Sequence, residues 1–541
     1  MAEADVRNRC DVNRGAINRV RDAVIKALDP TDLDACTAPV ADDAVANPFT
    51  PPTMWAILKE KKEDPMRHTH IITSLIAIAA MVMLVWSGGA PSAQSSSSRS
   101  PLNVDISQRH LNESEEAIAV NPTNSNNIVV VTNVGHREAG LSAGMFEGVS
   151  FDGGATWTRR LIGDNDNLGD ACCDPSLSFD EYGNLFMAYL YQVENVVPIA
   201  LSTDGGLTFN VIANIAAPPK ATPTKTSGDN RGLFRFVDQP TITAAKGEVW
   251  VVFNAGGPIF ATGAPVTGLG QVDGFVEGEV VPGTNNCTYG DVAIGPTGQV
   301  MQVCTLTESG QGGGKIFVNV DPDGLGPAGF GDRVFVTETH VGGFDFIPPQ
   351  PDRSVDAEPG LAWDRTGGTH NGRVYLVYTK EQPNESDDMD IYVRYSDDGG
   401  TTWSAGVRVN DDHTTTSQFL PKIALDQTTG NIAVVWYDSR NDLGRGGAGD
   451  TDGIPNDDAQ FWGAFSTDGG VSFTPNIQIS AGTSNAHDSG NGIDYGDYTG
   501  LSFFGGVAHP AWADNSNSAG TNPDGALHRL DIYTAEVRVT R

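Results

Sequence analysis

The chain has 541 residues, a net charge of −34, 63 glycines and 31 prolines. Beyond about 250–300 residues a single core normally divides, unless the architecture is a closed ring of repeats. The negative charge lies almost entirely after residue 100, and such a field disfavours DNA and RNA as partners while it favours cations. The many glycines and prolines favour short strands and turns over long helices.

The N-terminal region has the layout of an export signal. Residues 71–86 form an uncharged apolar run, preceded by a short segment from Met66 and followed by small residues up to Ala93. The run is short for a membrane-spanning helix, which needs about 20 residues. Either Met66 is the true start and residues 66–93 are a signal peptide, which we favour, or residues 1–65 are a cytoplasmic extension and the run is a membrane anchor.

Both alternatives place the chain after about residue 100 outside the cytoplasm, either secreted or at the cell surface. Residues 1–65 show no convincing domain pattern, and residues 94–102 are a Ser-rich linker. Contact with a membrane is expected only through residues 71–86, if that segment stays uncleaved. The folded domain is therefore expected to span residues 103–541.

Four of the six cysteines follow the export segment. An even number of cysteines in an oxidising compartment predicts disulfides. Cys287 and Cys304 flank a predicted hairpin and can pair directly across it or diagonally. Cys172 and Cys173 are adjacent, so a vicinal disulfide is possible but strained. Zinc is less favoured because no histidine accompanies them at ligand spacing.

One short turn, S-x-D-x-G-x-[TS]-[WF], occurs four times between β-like runs. We expect its Asp carboxylate to accept backbone N–H groups two residues further on, its two glycines to adopt positive φ, and its aromatic residue to pack back onto the sheet. A recurring turn with strands on both sides indicates a repeat protein. The four copies are Ser150–Trp157, Ser202–Phe209, Ser396–Trp403 and Ser466–Phe473.

A second pattern, two apolar strands joined by a polar turn, recurs seven times at spacings of about 50–80 residues, which suits four-stranded blades. The sequence therefore predicts an all-β propeller of seven four-stranded blades, with six as the alternative. Units 3 and 4 lack a clean copy of the turn, and Asp321–Gly324 is interpreted as a decayed one. The seven hairpins are Ala117–Thr132, Ser176–Leu190, Thr241–Asn254, Asp291–Leu306, Gly360–Thr379, Lys422–Tyr437 and Gly500–Ala513.

The last unit is one strand short. Its third strand is predicted at Leu530–Val537, and no fourth strand follows. The segment Asn103–Ser107 is similar to the fourth strands of units 5 and 6, Val407–Asn410 and Ile477–Ser480, and precedes unit 1 as they precede their own next units. We therefore expect this N-terminal strand to complete the last blade, which closes the ring and removes its exposed edges.

The turn is the Asp box, or BNR motif, and the chain resembles the sialidase-like β-propellers. In propellers the Asp boxes share one face with the turns between first and second strands. Ligands usually bind at the other face, over the central bore. The resemblance therefore implies that the boxes are structural and that a functional site lies opposite them.

Sialidases bind the carboxylate of their substrate with three arginines, whose planar forks can bond both oxygens. By this resemblance Arg109, Arg235 and Arg353, which precede the inner strands of units 1, 3 and 5, form the triad. Arg440 falls in a loop on the same face. The family's F/Y-R-I-P motif is absent, and Phe234-Arg-Phe in unit 3 is only a faint echo of it.

The same resemblance assigns the catalytic groups. Sialidases use a Tyr–Glu pair as nucleophile and base and an Asp as acid/base; here these are Tyr498, Glu358 and Asp174. Alignment of the units places further polar residues near the bore, mostly carboxylates. They are Glu115, Asp238 or Gln239, Tyr289, Gln418 and Asp497.

Two loops on the same face resemble calcium-binding loops. Asp450, Asp452, Asp457 and Asp458 lie in an Asp-rich D-x-D-G-I-P segment, and Asp164–Asp170 has similar alternating oxygens. Calcium prefers 6–8 oxygen ligands from a flexible loop. The alternative in both cases is a solvated acidic loop that binds nothing.

Two functions remain open at this point. The first is a secreted glycoside hydrolase of the exo-sialidase type, with its site at the mouth of the bore. The second is a non-enzymatic extracellular propeller that binds a glycan or a protein and is stabilised by calcium. The clustered arginines, tyrosines and carboxylates favour the enzyme, and the absent motif and seven units favour the binding protein.

Overall fold

The structure, a computed structural model, describes residues 101–135, 141, 143–193, 195–216, 237–308 and 310–539. The predicted extension, the export segment, most of the linker and Arg235 lie outside these residues. Within the described ranges, no helix is long and apolar enough to cross a membrane.

The described residues form an all-β, seven-bladed propeller. Strand β1 (Asn103–Asp105) comes first. Blades 1 to 4 follow in chain order. Blade 1 consists of β2 (Glu113–Val120), β3 (Ile128–Val134), β4 (Met145–Ser150) and β5 (Thr158–Ile162), and blade 2 consists of β6 (Ala171–Phe179), β7 (Leu185–Tyr191), β8 (Val196–Ser202) and β9 (Asn210–Ala216). Blade 3 consists of β10 (Asp238–Ala245), β11 (Glu248–Asn254), β12 (Ile259–Gly268), β13 (Gln271–Val272) and β14 (Glu279–Val280). Blade 4 consists of β15 (Cys287–Ile294), β16 (Val300–Thr307), β17 (Gly314–Asp321) and β18 (Val334–Glu338).

A two-stranded insert separates blade 4 from blade 5, and the sequence pattern did not predict it. We call it the insert hairpin; it consists of β19 (Asp345–Ile347) and β20 (Gln350–Val355). Blade 5 consists of β21 (Gly360–Trp363), β22 (Val374–Lys380), β23 (Asp390–Ser396) and β24 (Val407–Arg408), and blade 6 consists of β25 (Gln418–Leu425), β26 (Ile432–Asp438), β27 (Gln460–Ser466) and β28 (Ile477–Gln478). Blade 7 contains β29 (Gly500–Phe504), β30 (Val507–Asp514), β31 (Asp531–Ala535) and β32 (Val537–Arg538). A short 3₁₀ helix at His487–Ser489 precedes blade 7.

The first strand of every blade faces the central bore. Residues from all seven first strands line the same central cavity, among them Ile118, Ile242 and Leu501. This ring of first strands confirms seven blades and excludes the six-bladed alternative. The alternation of apolar residues along these strands explains the arrangement, because side chains of one strand point alternately to its two faces.

Strand β1 closes the ring. It pairs antiparallel with β31, with Val104 opposite Thr534, and is the outermost strand of blade 7. The Asn103 side chain also donates to the carbonyl of Ile479 at 2.9 Å and accepts the N–H of Ala481 at 2.6 Å, which ties β1 to blade 6. The predicted closure by the N-terminal strand is confirmed. It gives blade 7 the order β29–β30–β31–β1, and the short strand β32 also pairs with β30.

The Asp boxes lie at the turns between third and fourth strands, as predicted. In the first box, Asp152 accepts the N–H of Thr156 at 2.8 Å and its hydroxyl at 2.6 Å. Ser150 donates to the same carboxylate and accepts the N–H of Gly154. The carboxylate therefore bonds four residues ahead rather than two, which corrects the expected pattern, because the positive-φ glycines fold the chain back over it.

The decayed box in blade 4 keeps part of this pattern. Asp321 accepts the N–H groups of Asp323 and Gly324 at 3.1 and 2.9 Å, in the turn between β17 and β18. Asp321 thus stands where the other boxes have serine. The interpretation of Asp321–Gly324 as a degenerate copy agrees with its position.

Both predicted disulfides are present. In the register of β15 and β16, Cys304 lies opposite Gly290 and Cys287 lies opposite Leu306. The bridge is therefore diagonal, one of the two alternatives. The second bridge joins the adjacent residues Cys172 and Cys173 and immediately precedes Asp174 in β6.

The box in blade 5 offers a test of the turn geometry. Gly399 and Gly400 have φ values of 68° and 90°, and a Cβ on Gly400 would lie 2.6 Å from Cε of Met301 in blade 4, whereas nothing lies within 4 Å of one on Gly399. A left-handed conformation costs alanine about 1–2 kcal/mol. We expect Gly399→Ala to lose about that much free energy of unfolding and Gly400→Ala to lose clearly more, measured by urea denaturation. Equal losses would contradict the role of Gly400 in blade packing.

Candidate functional site

Several first strands begin with one residue in the left-handed region, with φ between 43° and 61°. In four of these blades the register between the first and second strands also shifts at this point, as in a β-bulge, and the exception is the blade that contains Glu358. Bulges redirect a side chain, and left-handed non-glycine residues cluster at functional sites. These residues are Glu115, Asp174, Gln239, Glu358 and Leu420.

Leu420, and not Gln418, holds this position in blade 6, which corrects the alignment made from the sequence. Gln418 lies two residues earlier and is buried. It accepts a hydrogen bond from Asn410 at 2.7 Å and donates to Asp438 at 3.3 Å. The sequence pattern was shifted because the bulge adds a residue to the strand.

One arginine of the predicted set lies at the centre of this face. Arg353, on the insert hairpin, donates through Nε to Oδ1 of Asp497 at 2.6 Å and through Nη2 to the other oxygen. The backbone N–H groups of Asp352 and Arg353 both donate to Asp494 at 2.8 and 3.0 Å. The hairpin is therefore fixed to the chain segment that leads into blade 7.

Carboxyl groups from three blades gather beside this ion pair. Glu115 accepts the N–H of Asp497 at 3.2 Å and a hydrogen bond from the Asn133 side chain. The same asparagine accepts the N–H of Asp174 at 3.0 Å, and Asp174 accepts the N–H of Gln239 at 3.1 Å. We call Glu115, Asp174, Asp238 and Asp497, together with Arg353, the mouth cluster.

Glu115, Asp174 and Asp238 of the mouth cluster have raised pKa values. Burial and the nearby Asp497 raise the pKa of Glu115 to about 8, and the same two causes raise the pKa of Asp238 to about 6. Burial, followed by Glu115 and Asp238, raises the pKa of Asp174 well above its ordinary value. Arg353 lowers the pKa values of Glu115 and Asp238, but it is one positive charge among four carboxyl groups.

A cavity of about 110 Å³ opens at the mouth cluster. The side chains around it include Asp238, Asn254, Arg353 and Asp497, and the exposed ring of Phe344 lies at its rim. An aromatic ring beside carboxylates and an arginine suits a polar ligand that also has an apolar face.

Three of the four arginines predicted to bind substrate lie within the described residues, and each of them pairs with a different carboxylate. Arg109 pairs with Glu113 at 3.1 Å. Arg440 pairs with Asp438 and Asp411, both at 2.7 Å, and lies over the ring of Trp462. Of these three arginines, Arg353 belongs to the mouth cluster, whereas Arg109 and Arg440 are paired with carboxylates outside it.

The predicted catalytic residues occupy different places on this face. Asp174 belongs to the mouth cluster. Glu358 is buried, its N–H donates to Asp356 at 2.7 Å, and burial followed by the charge of Asp356 raises its pKa well above the ordinary value. Tyr498 lines a central cavity of about 230 Å³ together with Glu116.

Sequence reasoning missed three contributors to this face: Asn133, Asp356 and Asp494. Asn133 lies at the end of β3 and Asp494 in the segment before blade 7. The available signal for Asn133 and Asp494 was their position, because each lies where the chain leaves or approaches a blade on the face that carries the mouth cluster. Residue type alone does not single out an asparagine or one aspartate among many.

The predicted calcium loop brings carboxylates together. One oxygen each from Asp452, Asp457 and Asp458 lie within 4.8 Å of one another, and the same holds for Asp442, Asp450 and Asp458. Burial, then Asp452 and Asp458, raises the pKa of Asp457 to about 7. Oδ1 of Asp457 is buried without a hydrogen-bond partner among the described residues, so the donor set fits a hard cation.

Asp442 was not predicted, although it lies just before the loop. Its carboxylate accepts the N–H groups of Asp457 and Asp458 at 2.8 and 2.9 Å. In the second predicted loop, Asp166 accepts the N–H groups of Gly163 and Leu168, both at 2.8 Å, and so shapes the turn.

Comparisons with known proteins agree with the fold. The BNR/Asp-box repeat model matches residues 394–405, which include the box of blade 5. No curated protein matches the chain in sequence. Similar solved structures include the α-L-arabinofuranosidase of Fusarium graminearum with arabinobiose, at 11% identity and a TM-score of 0.41 over 81% of this chain and 97% of that chain.

Two further solved structures are similar. A protein of unknown function from Dyadobacter fermentans has 11% identity and a TM-score of 0.43 over 82% of this chain and 99% of that chain. The endosialidase of phage phi92 has 10% identity and a TM-score of 0.43 over 82% and 70%. Identities this low relate the folds alone. The fold and its repeated turns make this chain a seven-bladed β-propeller with Asp-box turns.

The raised pKa of Glu115 predicts a pH dependence of stability. The folded state holds a proton up to about pH 8, whereas the unfolded glutamate loses it near its ordinary pKa of about 4.3. Folding therefore binds a proton between these values, and the free energy of unfolding falls as the pH rises from about 5 to 8. Glu115→Gln should make this slope shallower in urea denaturation.

The matched control is Glu277→Gln, which removes an exposed carboxylate from blade 3. This variant should keep the slope of the wild type. A Glu115→Gln slope equal to that of the wild type would contradict the raised pKa.

Proposed function

We propose that this propeller is a glycoside hydrolase that acts at the mouth of its bore. The observation that carries the proposal is the mouth cluster, in which four carboxyl groups and one arginine lie together opposite the Asp boxes. Asp238, Asp497 and Arg353 of this cluster line a cavity. Glycoside cleavage needs one carboxyl group that donates a proton and a second group that acts as base or nucleophile. A mixture of protonated and ionised carboxyl groups supplies both.

Asp174 is the proposed general acid. Its side chain is partly exposed, and burial beside Glu115 and Asp238 raises its pKa well above the ordinary value, which favours the protonated form that a general acid needs. Asp497 accepts two hydrogen bonds from the guanidinium of Arg353, and we assign it the role of base or nucleophile. This pair separates the roles of two carboxyl groups by environment, which is how one site performs acid and base chemistry together.

The substrate class follows from the charge of the site. Arg353 is already bonded to Asp497, so a sugar carboxylate would have to displace that partner and enter a field of further carboxylates. A neutral sugar has no such cost, and its hydroxyl groups can donate to these acceptors. The geometry therefore supports a neutral glycoside better than a sialoside. In the sialoside alternative, Tyr498 is the nucleophile and Glu358 its base, and Arg109, Arg235 and Arg440 support Arg353.

The proposal includes export and an extracellular glycan or glycoprotein as partner. The disulfides Cys172–Cys173 and Cys287–Cys304 suit an oxidising compartment. The apolar run at residues 71–86 supplies the export signal or anchor in this account.

A binding propeller without catalysis is the second candidate. The observation that favours it is that Arg109, Arg353 and Arg440 are each already paired with a carboxylate. In this account a calcium ion held by Asp450, Asp452, Asp457 and Asp458, with Asp442, stiffens the loop beside the ligand surface.

A panel of aryl glycosides separates these candidates. We expect the wild type to hydrolyse a neutral aryl glycoside, and Asp174→Asn to lower kcat about 10²–10⁴-fold through loss of the general acid. The matched control is Asp204→Asn, which removes a carboxylate from the box of the same blade on the opposite face. Rates that fall equally in both variants would contradict the proposed site.

The sialoside in the panel has its own control. If the wild type hydrolyses the sialoside and both Tyr498→Phe and Arg353→Ala lose this activity, the sialidase alternative replaces the neutral substrate. A wild type that hydrolyses no glycoside, yet binds glycans through the mouth face, would support the binding propeller.

The calcium loop predicts a cation-dependent stability. A ligand that binds only the folded state raises the free energy of unfolding, by about 2.7 kcal/mol at 100 times its Kd. The Tm of the wild type should be higher in calcium than in chelator, and Asp457→Asn should reduce this difference. Asp323→Asn, in the decayed box, is the control. If the Tm difference between calcium and chelator is unchanged in Asp457→Asn, calcium binding by this loop is contradicted.

A further inference from the structure

A second group of acidic residues lies between the insert hairpin and blade 5. One oxygen each from Asp345, Glu381 and Glu385 lie within 4.8 Å of one another. Asp345 is in β19, and the two glutamates are in the loop that follows β22. The three residues come from separate chain segments, so no sequence motif announces them.

Two of these carboxyl groups are buried. Asp345 is 2% exposed and Glu381 is 1% exposed. Oε1 of Glu381 accepts the N–H of Asp387 at 2.9 Å, but its Oε2 is buried with no hydrogen-bond partner among the described residues. Leaving a buried charged oxygen without a partner costs more than leaving a neutral one. This orphaned oxygen is a second observation, separate from the grouping, that points to a ligand.

The surrounding charges do not neutralise the group. Burial and then Asp345 raise the pKa of Glu381 to about 7, and burial raises the pKa of Asp345, with Glu385 and Asp387 adding to the effect. The charged side chains that act on both residues are thus acidic. Among the described residues, the Asp345 side chain accepts long hydrogen bonds from the N–H of Gly342 at 3.2 Å and from the Gln311 side chain at 3.4 Å.

We propose that Asp345, Glu381 and Glu385 bind a divalent cation of the calcium type, which joins the insert hairpin to blade 5. All three ligands are hard carboxylate oxygens, which calcium accepts, whereas zinc prefers nitrogen and sulfur. Calcium takes 6–8 oxygens at 2.3–2.6 Å in flexible geometry, so water and further oxygens complete the shell. The site is distinct from the predicted loop at residues 450–458.

The position of this site gives it a consequence for the mouth cluster. Asp345 pairs in the hairpin register with Val355, two residues from Arg353. The other side of the hairpin is already fixed, because Gln350 donates to the carbonyl of Gly496 at 3.0 Å and accepts the N–H of Tyr495 at 2.8 Å. A cation at Asp345 fixes the remaining side and so holds Arg353 over the cavity.

The test is a calorimetric titration of the purified full chain with calcium chloride after chelator treatment. The Asp458→Asn variant serves as background, because Asp458 belongs to both carboxylate groups of the loop at residues 450–458 and its removal keeps that loop from contributing. We expect this background to bind one calcium ion, and Glu381→Gln within it to weaken the Kd at least tenfold. Glutamine keeps the shape and the acceptor for Asp387, and Asp345→Asn is the second variant, with the same expected loss.

The control is Glu277→Gln in the same background, which should bind calcium unchanged. A titration with magnesium chloride should show weaker binding than calcium. The proposal is overturned if the background binds no calcium while its circular dichroism shows a folded protein, if both ligand variants keep its affinity, or if magnesium binds as tightly as calcium. The titration does not depend on catalysis, so its outcome is separate from that of the proposed hydrolase.

Discussion

The antiparallel pairing of β1 with β31 closes the ring of blades, and the mouth cluster depends on that closure. Glu115 belongs to the first blade and Asp497 to the segment that enters the last, yet the N–H of Asp497 donates to Glu115 across the seam. Arg353 reaches the same point from the insert hairpin. The site is therefore assembled from the beginning, middle and end of the domain, and an open ring would separate its parts.

The two faces of the propeller treat carboxyl groups in opposite ways. On the box face, the hydroxyl and N–H of Thr156 lower the pKa of Asp152, and those of Thr402 lower the pKa of Asp398. On the mouth face, burial and neighbouring carboxyl groups raise the pKa of Glu115. Carboxylates with many donors shape turns, whereas crowded carboxyl groups with few donors hold protons that chemistry can use.

The sequence predicted what local chemistry determines. The Asp boxes, the seven hairpins and the closing strand follow from turn residues and alternation, and they are where the pattern placed them. The insert hairpin, the bulge at Leu420 in place of Gln418, and the grouping of Asp345 with Glu381 depend on contacts between distant segments. The pairing of Arg353 with Asp497 has the same origin, since residue type marks neither partner.

The contrast between the two faces is the central claim. Carbodiimide labelling at about pH 5 tests it most directly, because the reagent attacks protonated carboxyl groups and Asp238, with a pKa of about 6, is mostly protonated at that pH. Modified peptides are then mapped by mass spectrometry. The account predicts labelling at Asp174 and Asp238, while the more exposed Asp152 and Asp398 stay unmodified. Labelling that follows exposure alone, strong at the boxes and absent at the mouth, would contradict it.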